Sequence, residues 1–570
     1  MTSLEFEREL RGTGLGHLIE NEEVSEPVLF QNDLESIGIV IKNCVFKEDV
    51  FFENVDLKYG IHFVNCKFEK ALYFKNCRAN HYDSIYNYYG YHIEFNNTEA
   101  IDLVFENNQI DRGVRIYNKS LIKYLRVESL SSNNGSFSIL NSTIETQFDI
   151  SQGRFFSIDV REDSIVKSKV RFENVSTGSI TFTESSFEKD IHIWAGQVGS
   201  FTFNDGTFND DLTVTAVPIN ENLSIIGAQF KKTFEFAIED TTNEKIGSLN
   251  QVYIKSSKFG EQLIINGTNT PISQFSVDFS KQLEGSIYIN SCNILKTKLS
   301  GDNYSGNFVL NNCCFNNFEF NLLYNYSTIS LISVCSFDEK PEFSVINSNL
   351  GKTHFFNINF NTFHQITISN SILTEIIAAN IIWFESERLN TNHLPNTFEY
   401  AQNKEIYRQL KYTLEKQGDR INSLRFKSLE MKTFKQEQFS KCKSYPRIFN
   451  NDRFILWLGQ TNGFGLEWWK PALLLVILCL PFYFLIVIGV SEKLEYGLYL
   501  NYSSFKCTLK EFWNYIYSFP QILNPIHDID KIYKKDYSFG FGVYLLDYTL
   551  KLFIAFFIYQ TISAFRKFMK

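Results

Sequence analysis

"FVNCKFEKALYFKNC", residues 63–77, opens and closes on the same phrase, Phe-x-Asn-Cys, eleven residues apart. Eleven is neither a helix heptad nor a plain strand alternation. Around this stretch the large apolar residues fall at Phe46, Phe52, Leu57, Phe63, Phe68 and Phe74, with Ala79 next, in steps of 6, 5, 6, 5, 6 and 5. Two neighbouring columns keep the same register: Asn43, Asn54, Asn65 and Asn76, and Cys44, Val55, Cys66 and Cys77. Internal repetition of this kind calls for a solenoid reading.

A longer period persists downstream. Ile144, Ile165, Phe187, Phe208 and Phe230 stand 21, 22, 21 and 22 apart, and Ile294, Phe315 and Phe337 stand 21 and 22 apart. Phrases such as "FTESSF", "FNDGTF" and "NNCCF" are short period-2 runs bounded by Asn, Asp, Gly or Ser, which read as strands. The pattern predicts a mainly β protein built on a right-handed parallel β-helix of about 21–22 residues per coil. Stacked coils set Phe on Phe inside and Asn on Asn at the corners, where Asn tolerates left-handed backbone and forms amide ladders. Roughly sixteen coils over 31–390 make a rod of about 75 Å at the inter-strand rise. Residues 1–30 are expected to cap it, the region near Trp383 to close it, and the stretches 80–135 and 235–285 to be irregular.

The 5/6 stepping with a small residue two before each central Phe, as in Cys66-Lys67-Phe68 and Cys44-Val45-Phe46, resembles a degenerate pentapeptide-repeat pattern. That family steps by five and twenty, whereas this chain drifts to about 21.5, so both a four-sided and a three-sided coil stay open.

Beyond the repeat, Ile406, Leu410 and Leu414, with Tyr407, mark one amphipathic helix over 397–417. Gly418-Asp419 breaks it, and Ile421, Leu424, Phe426 and Leu429 mark a second over about 420–439, giving a helical hairpin within 396–440. The linker 441–467 carries Lys441, Lys443, Arg447 and Arg453, charges suited to anionic headgroups. "ALLLVILCLPFYFLIVIGV", 472–490, has no charge and is long enough to cross a bilayer. Trp468 and Trp469 precede it as interfacial anchors, and Pro481 within it predicts a kink. A second span covers 542–565, with Asp547 and Lys551 spaced to pair on one face, before the basic tail 566–570. Basic residues before the first span and after the second predict cytoplasmic ends, with 491–541 outside. In that loop "EFWNYIYSFPQIL", 511–523, is apolar enough to re-enter the membrane.

"NGFGLEWWKPALLL" (462–475), "IYRQLKYTLEKQGD" (406–419) and "IYQTISAFRKF" (558–568) resemble the carboxy-terminal module of bacterial pentapeptide-repeat membrane proteins. Part of that module resembles the pore half of small ion channels. The resemblance implies an inner-membrane protein, and channel activity as one function, although no TVGYG-type filter stands between the spans.

No residue is assigned a catalytic, cofactor-binding or metal-ligating role. Asp205, Asp210-Asp211 and Glu239-Asp240 read as turns rather than acid/base pairs, and His62, His81, His92, His192, His354 and His364 lack ligand spacing. Ten Cys without a CxxC pair, and no recognisable secretory leader, argue against zinc and against a disulfide framework; Cys serves here as a compact hydrophobe. A net charge of −9 over 570 residues gives no nucleic-acid signature. The expectation is a non-enzymatic, membrane-anchored cytoplasmic scaffold or sensor. Its expected partners are the lipid bilayer, a protein on the solenoid, and a second copy in a homo-oligomer. A channel or membrane-perturbing effector is the alternative, and a β-helix carbohydrate-active protein the next.

Overall fold

The computed structural model describes residues 1–12, 17–34, 38–79, 91–132, 134–194, 196–215, 219–237, 249–267, 271–279, 283–336, 340–390, 396–440, 451–491, 502–533 and 539–565. The chain divides into two compact units, Met1–Asn390 and Thr391–Lys570.

The first unit is a parallel β-solenoid of about fifteen turns. One coil shows how the eleven-residue phrase works. Strand Ile61–Val64 runs to Asn65, whose φ of 53° turns the chain. Strand Lys67–Lys75 pairs in two pieces, through Lys67 and Phe68 to Val45 and Phe46 and through Leu72 onward to Val50 onward. Asn76, also at φ 53°, makes the next corner before Arg78–Ala79. A left-handed corner is steep for most side chains and mild for Asn. That is why Asn recurs at 43, 54, 65 and 76, all with positive φ. Each corner amide also donates to the one a coil away: Asn43 to Asn21 (2.9 Å), Asn65 to Asn43 (3.0 Å) and Asn97 to Asn65 (2.9 Å).

The interior is the predicted column. Phe46, Phe52, Leu57, Phe63, Phe68, Phe74 and Ala79 are all buried, as are Cys44, Val55, Cys66 and Cys77. Phe46 stacks on Phe68 at 4.7 Å, Phe52 on Phe74 at 5.1 Å, and Phe187, Phe208, Phe230 and Phe259 form a continuing pile. Burying each such ring contributes about 1.5–3 kcal/mol, on the order of the cost of ordering one or two residues of its coil.

Several expectations are corrected. In the column after Ile144 the core residue is Val166, paired with Ile144 and then Phe187, while Ile165 is 37% exposed. The coil is there 22 residues followed by 21, so the larger side chain sits one position off the axis. Phe337 lies outside the described residues. The stretches 80–135 and 235–285 are irregular as expected: the register shifts between Ala100 and Asp102, between Ile122 and Tyr124, and between Lys258 and Gln262, while the strands around these bulges still pair coil to coil. Ile93–Asn96 pairs with Ile61–Val64 at an offset of 32, and Gln251–Lys255 with 222–226 at 29. The extra residues fall within 80–90 and 238–248, outside the described set, and the stack resumes in register. Strand pairing starts at Leu18, so what covers the first coil is helix α1, Ser3–Leu10. α1 is closed by a Thr2–Glu5 capping box and buries Phe6 against Phe46 at 5.2 Å. At the far end Trp383 is buried and stacks on Phe360 at 5.5 Å. A disulfide joins Cys314 to Cys335, contrary to the reading of cysteine as hydrophobe alone. The two stand directly opposite in neighbouring strands, 4.4 Å apart at Cα, because stacking aligns equivalent positions.

The second unit is helical. α2 (Asn396–Lys416) and α3 (Arg420–Ser440) form the expected hairpin around Gly418, whose φ is 83°. α2 buries Ile406, Tyr407, Leu410 and Leu414 as predicted. α3 does not bury Ile421, which is 71% exposed. Its inner stripe is Ser423, Phe426, Glu430, Thr433 and Glu437, because α2 offers lysines: Lys411 meets Glu430 at 2.7 Å and Lys404 meets Glu437 at 2.5 Å. α4 (Asn451–Gln460) precedes α5 (Trp469–Val490), which runs through Pro481 as one helix. The segment after it holds α6 (Tyr502–Asn514), a 3-10 turn at Ile516–Ser518, α7 (Phe519–Ile522) and α8 (Ile529–Tyr533). α9 (Phe541–Phe565) closes the unit. α5 and α9 are both long and apolar enough to cross a membrane. They pair antiparallel, with Trp468 stacked on Phe565 at 5.0 Å and Phe482 beside Phe553 at 5.8 Å.

Candidate functional site

Two places in the helical unit gather polar groups where apolar ones are the norm. The first is the turn 461–466, from the stretch "TNGFGL". Gly463, Phe464 and Gly465 have φ of 60°, 57° and 95°, three consecutive left-handed residues that end α4. The Phe464 N–H donates to Gly459 O at 2.9 Å. Asn462 is buried and fixes the turn from inside: its Oδ1 accepts the Gly465 N–H at 3.0 Å. Its Nδ2 donates to Gln560 Oε1 of α9 at 2.5 Å. From the other side the buried hydroxyl of Ser428, on α3, donates to Gly463 O at 3.1 Å. The hairpin, the turn and α9 are thereby joined by direct hydrogen bonds.

The second place is at the opposite end of the paired helices. Asp547, six residues into α9, is buried. Its Oδ1 meets His527 Nε2 at 2.5 Å and its Oδ2 meets Lys551 Nζ at 2.7 Å. His527 Nδ1 lies 2.6 Å from Asn524 O, which fixes the ring. The Asp547–Lys551 pair follows from i, i+4 spacing, but its burial depends on His527, twenty residues upstream, which no period connects to it. Nearby, Ser518 Oγ links the phenols of Tyr483 (3.2 Å) and Tyr533 (3.0 Å). Tyr483 also packs edge-on against Phe512 and Phe519. Tyr483 lies seven residues inside the end of α5, about 10 Å along the axis. The aromatic stretch 511–523 therefore folds back along α5.

On the solenoid, His62 and Glu94 are buried opposite one another in adjacent strands, with Nδ1 and Oε2 3.1 Å apart. Tyr117 OH donates to the same carboxylate oxygen at 3.1 Å and lies under Arg115. Burial, reinforced by the Glu94 charge, pushes the Tyr117 phenol up to about 12. Burial likewise pushes the Cys77 thiol up to about 11, as expected of an inert core cysteine. A polar groove of about 880 Å³ runs along the corner ladder, lined by Asp33, Asn54, Asp56, Asn76, Arg78 and Asn107 among others.

The acidic groups singled out from sequence have turn roles. Asp205 is a left-handed corner, Asp210 pairs with Lys232, and Asp211 accepts the Thr233 N–H at 3.2 Å. Glu239-Asp240 and His81 lie outside the described residues. His192 and His364 are exposed, and His92 is buried, accepting the Arg112 N–H at 3.2 Å. Among the described residues no three His, Cys, Asp or Glu are grouped to hold a metal.

Fold and site together define a capped parallel β-solenoid whose chain continues into a helical unit with two helices of spanning length. No family model, no curated protein and no solved structure matches this chain.

Proposed function

We propose that this protein is a membrane-anchored scaffold or sensor without catalytic activity. The solenoid offers a stiff, repetitive surface to a protein partner, and the helical unit holds it to a lipid bilayer. The observation that carries this reading is the turn 461–466, bonded to α3 through Ser428 and to α9 through Gln560. A load on the hairpin is thus transmitted to a spanning helix. The buried Cys66 and Phe68, two residues apart, fit descent from a bacterial pentapeptide-repeat pattern. The beginning of α5 and the end of α9 lie side by side, and in the sequence basic residues precede the one and follow the other. By the positive-inside rule that end is cytoplasmic.

The packing of Phe512 and Phe519 against Tyr483 favours a second reading, an oligomeric channel or membrane-perturbing effector whose loop re-enters the bilayer. Ion flux through the full-length protein in liposomes, compared with a variant lacking 512–523, separates the two. The scaffold reading expects no flux from either protein and a soluble partner crosslinked to the solenoid. Flux that the deletion abolishes would replace it with the channel.

A further inference from the structure

The chain carries a five-residue apolar run, "FILWL" at 454–458, in α4, outside both spanning helices. Five consecutive residues at about 100° intervals pass all the way round a helix, so this run cannot face one neighbour alone. In α4 the burial along that run is uneven. Leu456 is 6% exposed, whereas Ile455 is 63% and Trp457 56% exposed. Residues at 100° intervals put Ile455 and Trp457 on the two flanks of Leu456, so the face turned away from the unit is flanked by large apolar side chains.

The height of the end of α4 is also fixed. Asn462, two residues past its end, bonds Gln560, five residues before the end of α9. That anchors the end of α4 about 8 Å inside the end of α9, level with the outer turns of the helix pair. Trp468 and Trp469, both about half-exposed, lie in the same zone at the start of α5. Lys441, Lys443 and Arg447 stand in the residues before α4, and Arg453 within it.

Resting on the reading of α5 and α9 as spans, we propose that α4 lies in the plane of an anionic bilayer and seats Ile455 and Trp457 in its interfacial layer. Exposed apolar flanks and neighbouring cations are what such a surface selects. Continuity with the half-exposed tryptophans of α5 argues for lipid rather than a second copy of the chain as the occupant.

The test is depth-dependent quenching of the full-length protein in vesicles of three parts phosphatidylcholine to one part phosphatidylglycerol. Lipids brominated high on the acyl chain are the probe. Wild type, Trp457→Phe and the double variant Trp468→Phe/Trp469→Phe are compared. The expected result is that Trp457 carries a bromolipid-quenchable share of emission comparable with that of either anchor tryptophan, and is shielded from aqueous acrylamide. If the 468/469 share is quenched and the Trp457 share is not, α4 lies off the membrane and the proposal falls while the spans stand. If Trp457 is shielded from both quenchers, protein covers it and the proposal also falls. If neither share is quenched, the spanning reading fails and takes the proposal with it.

Discussion

Each residue type in the repeat does one job, and its substitution reports that job. Phe68 is buried between Phe46 at 4.7 Å and Phe63 at 5.4 Å. Phe68→Ala leaves a cavity whose walls belong to neighbouring coils that cannot collapse together. The expected loss is about 3–5 kcal/mol, measured by denaturant unfolding; an unchanged midpoint would mean that the stack contributes little. Asn65 tests the corner. It holds φ 53° and shares its amide with Asn43 and Asn97. Asn65→Gly keeps the backbone and loses the ladder, about 1 kcal/mol, whereas Asn65→Ala loses both, about 2–3 kcal/mol. Equal losses would show that the ladder, not the backbone, decides. These positions were legible because the repeat is locally strict. Val166 was missed because the coil length drifts by one residue and Ile165 is the larger side chain. His527 was missed because its partner Asp547 is brought to it by tertiary packing, which leaves no spacing to count.

At the scale of elements, helices announced themselves by length and period, and only their inner faces surprised. α2 buries an aliphatic stripe, but α3 answers it with serine, threonine and glutamate. A pattern search looks for leucines there and lands on Ile421, which faces solvent. The lysines that make the stripe sensible lie on the other helix. Breaking the Lys411–Glu430 pair by Glu430→Ala leaves Lys411, 23% exposed, without its buried anion. The expected loss is about 1–2 kcal/mol, between an exposed pair and a fully buried one. The double variant with Lys411→Met should regain part of it. Hydrogen exchange within α2 and α3 gives the reading, and protection unchanged by the single variant would assign the hairpin's stability to Tyr407 and Phe426 instead. The helices between α5 and α9 had no strong signal, since short aromatic segments do not establish a period. The solenoid insertions were legible only as irregularity: an offset of 32 where the preceding coil has 22 breaks any fixed-period count, although pairing between coils resumes beyond it.

At the scale of the whole molecule, the solenoid rule is that every strand pairs with the one a coil before and the one a coil after. Nothing in that rule counts coils. It is α1 at one end, and the region of Trp383 at the other, that stop it. Removing residues 1–12 should leave the outer edges of Leu18–Glu20, Glu23–Val24 and Val28–Phe30, each paired on its inner side to the next coil, uncovered above an exposed Phe46. Light scattering of the shortened protein should then rise with concentration, and scattering equal to that of the intact chain would show that the edges protect themselves. In that light, the eight residues of α1 set a number. Without them the interactions that build one molecule have one open end on which to join a second copy, while the far end stays closed near Trp383, so α1 is what keeps the rod single.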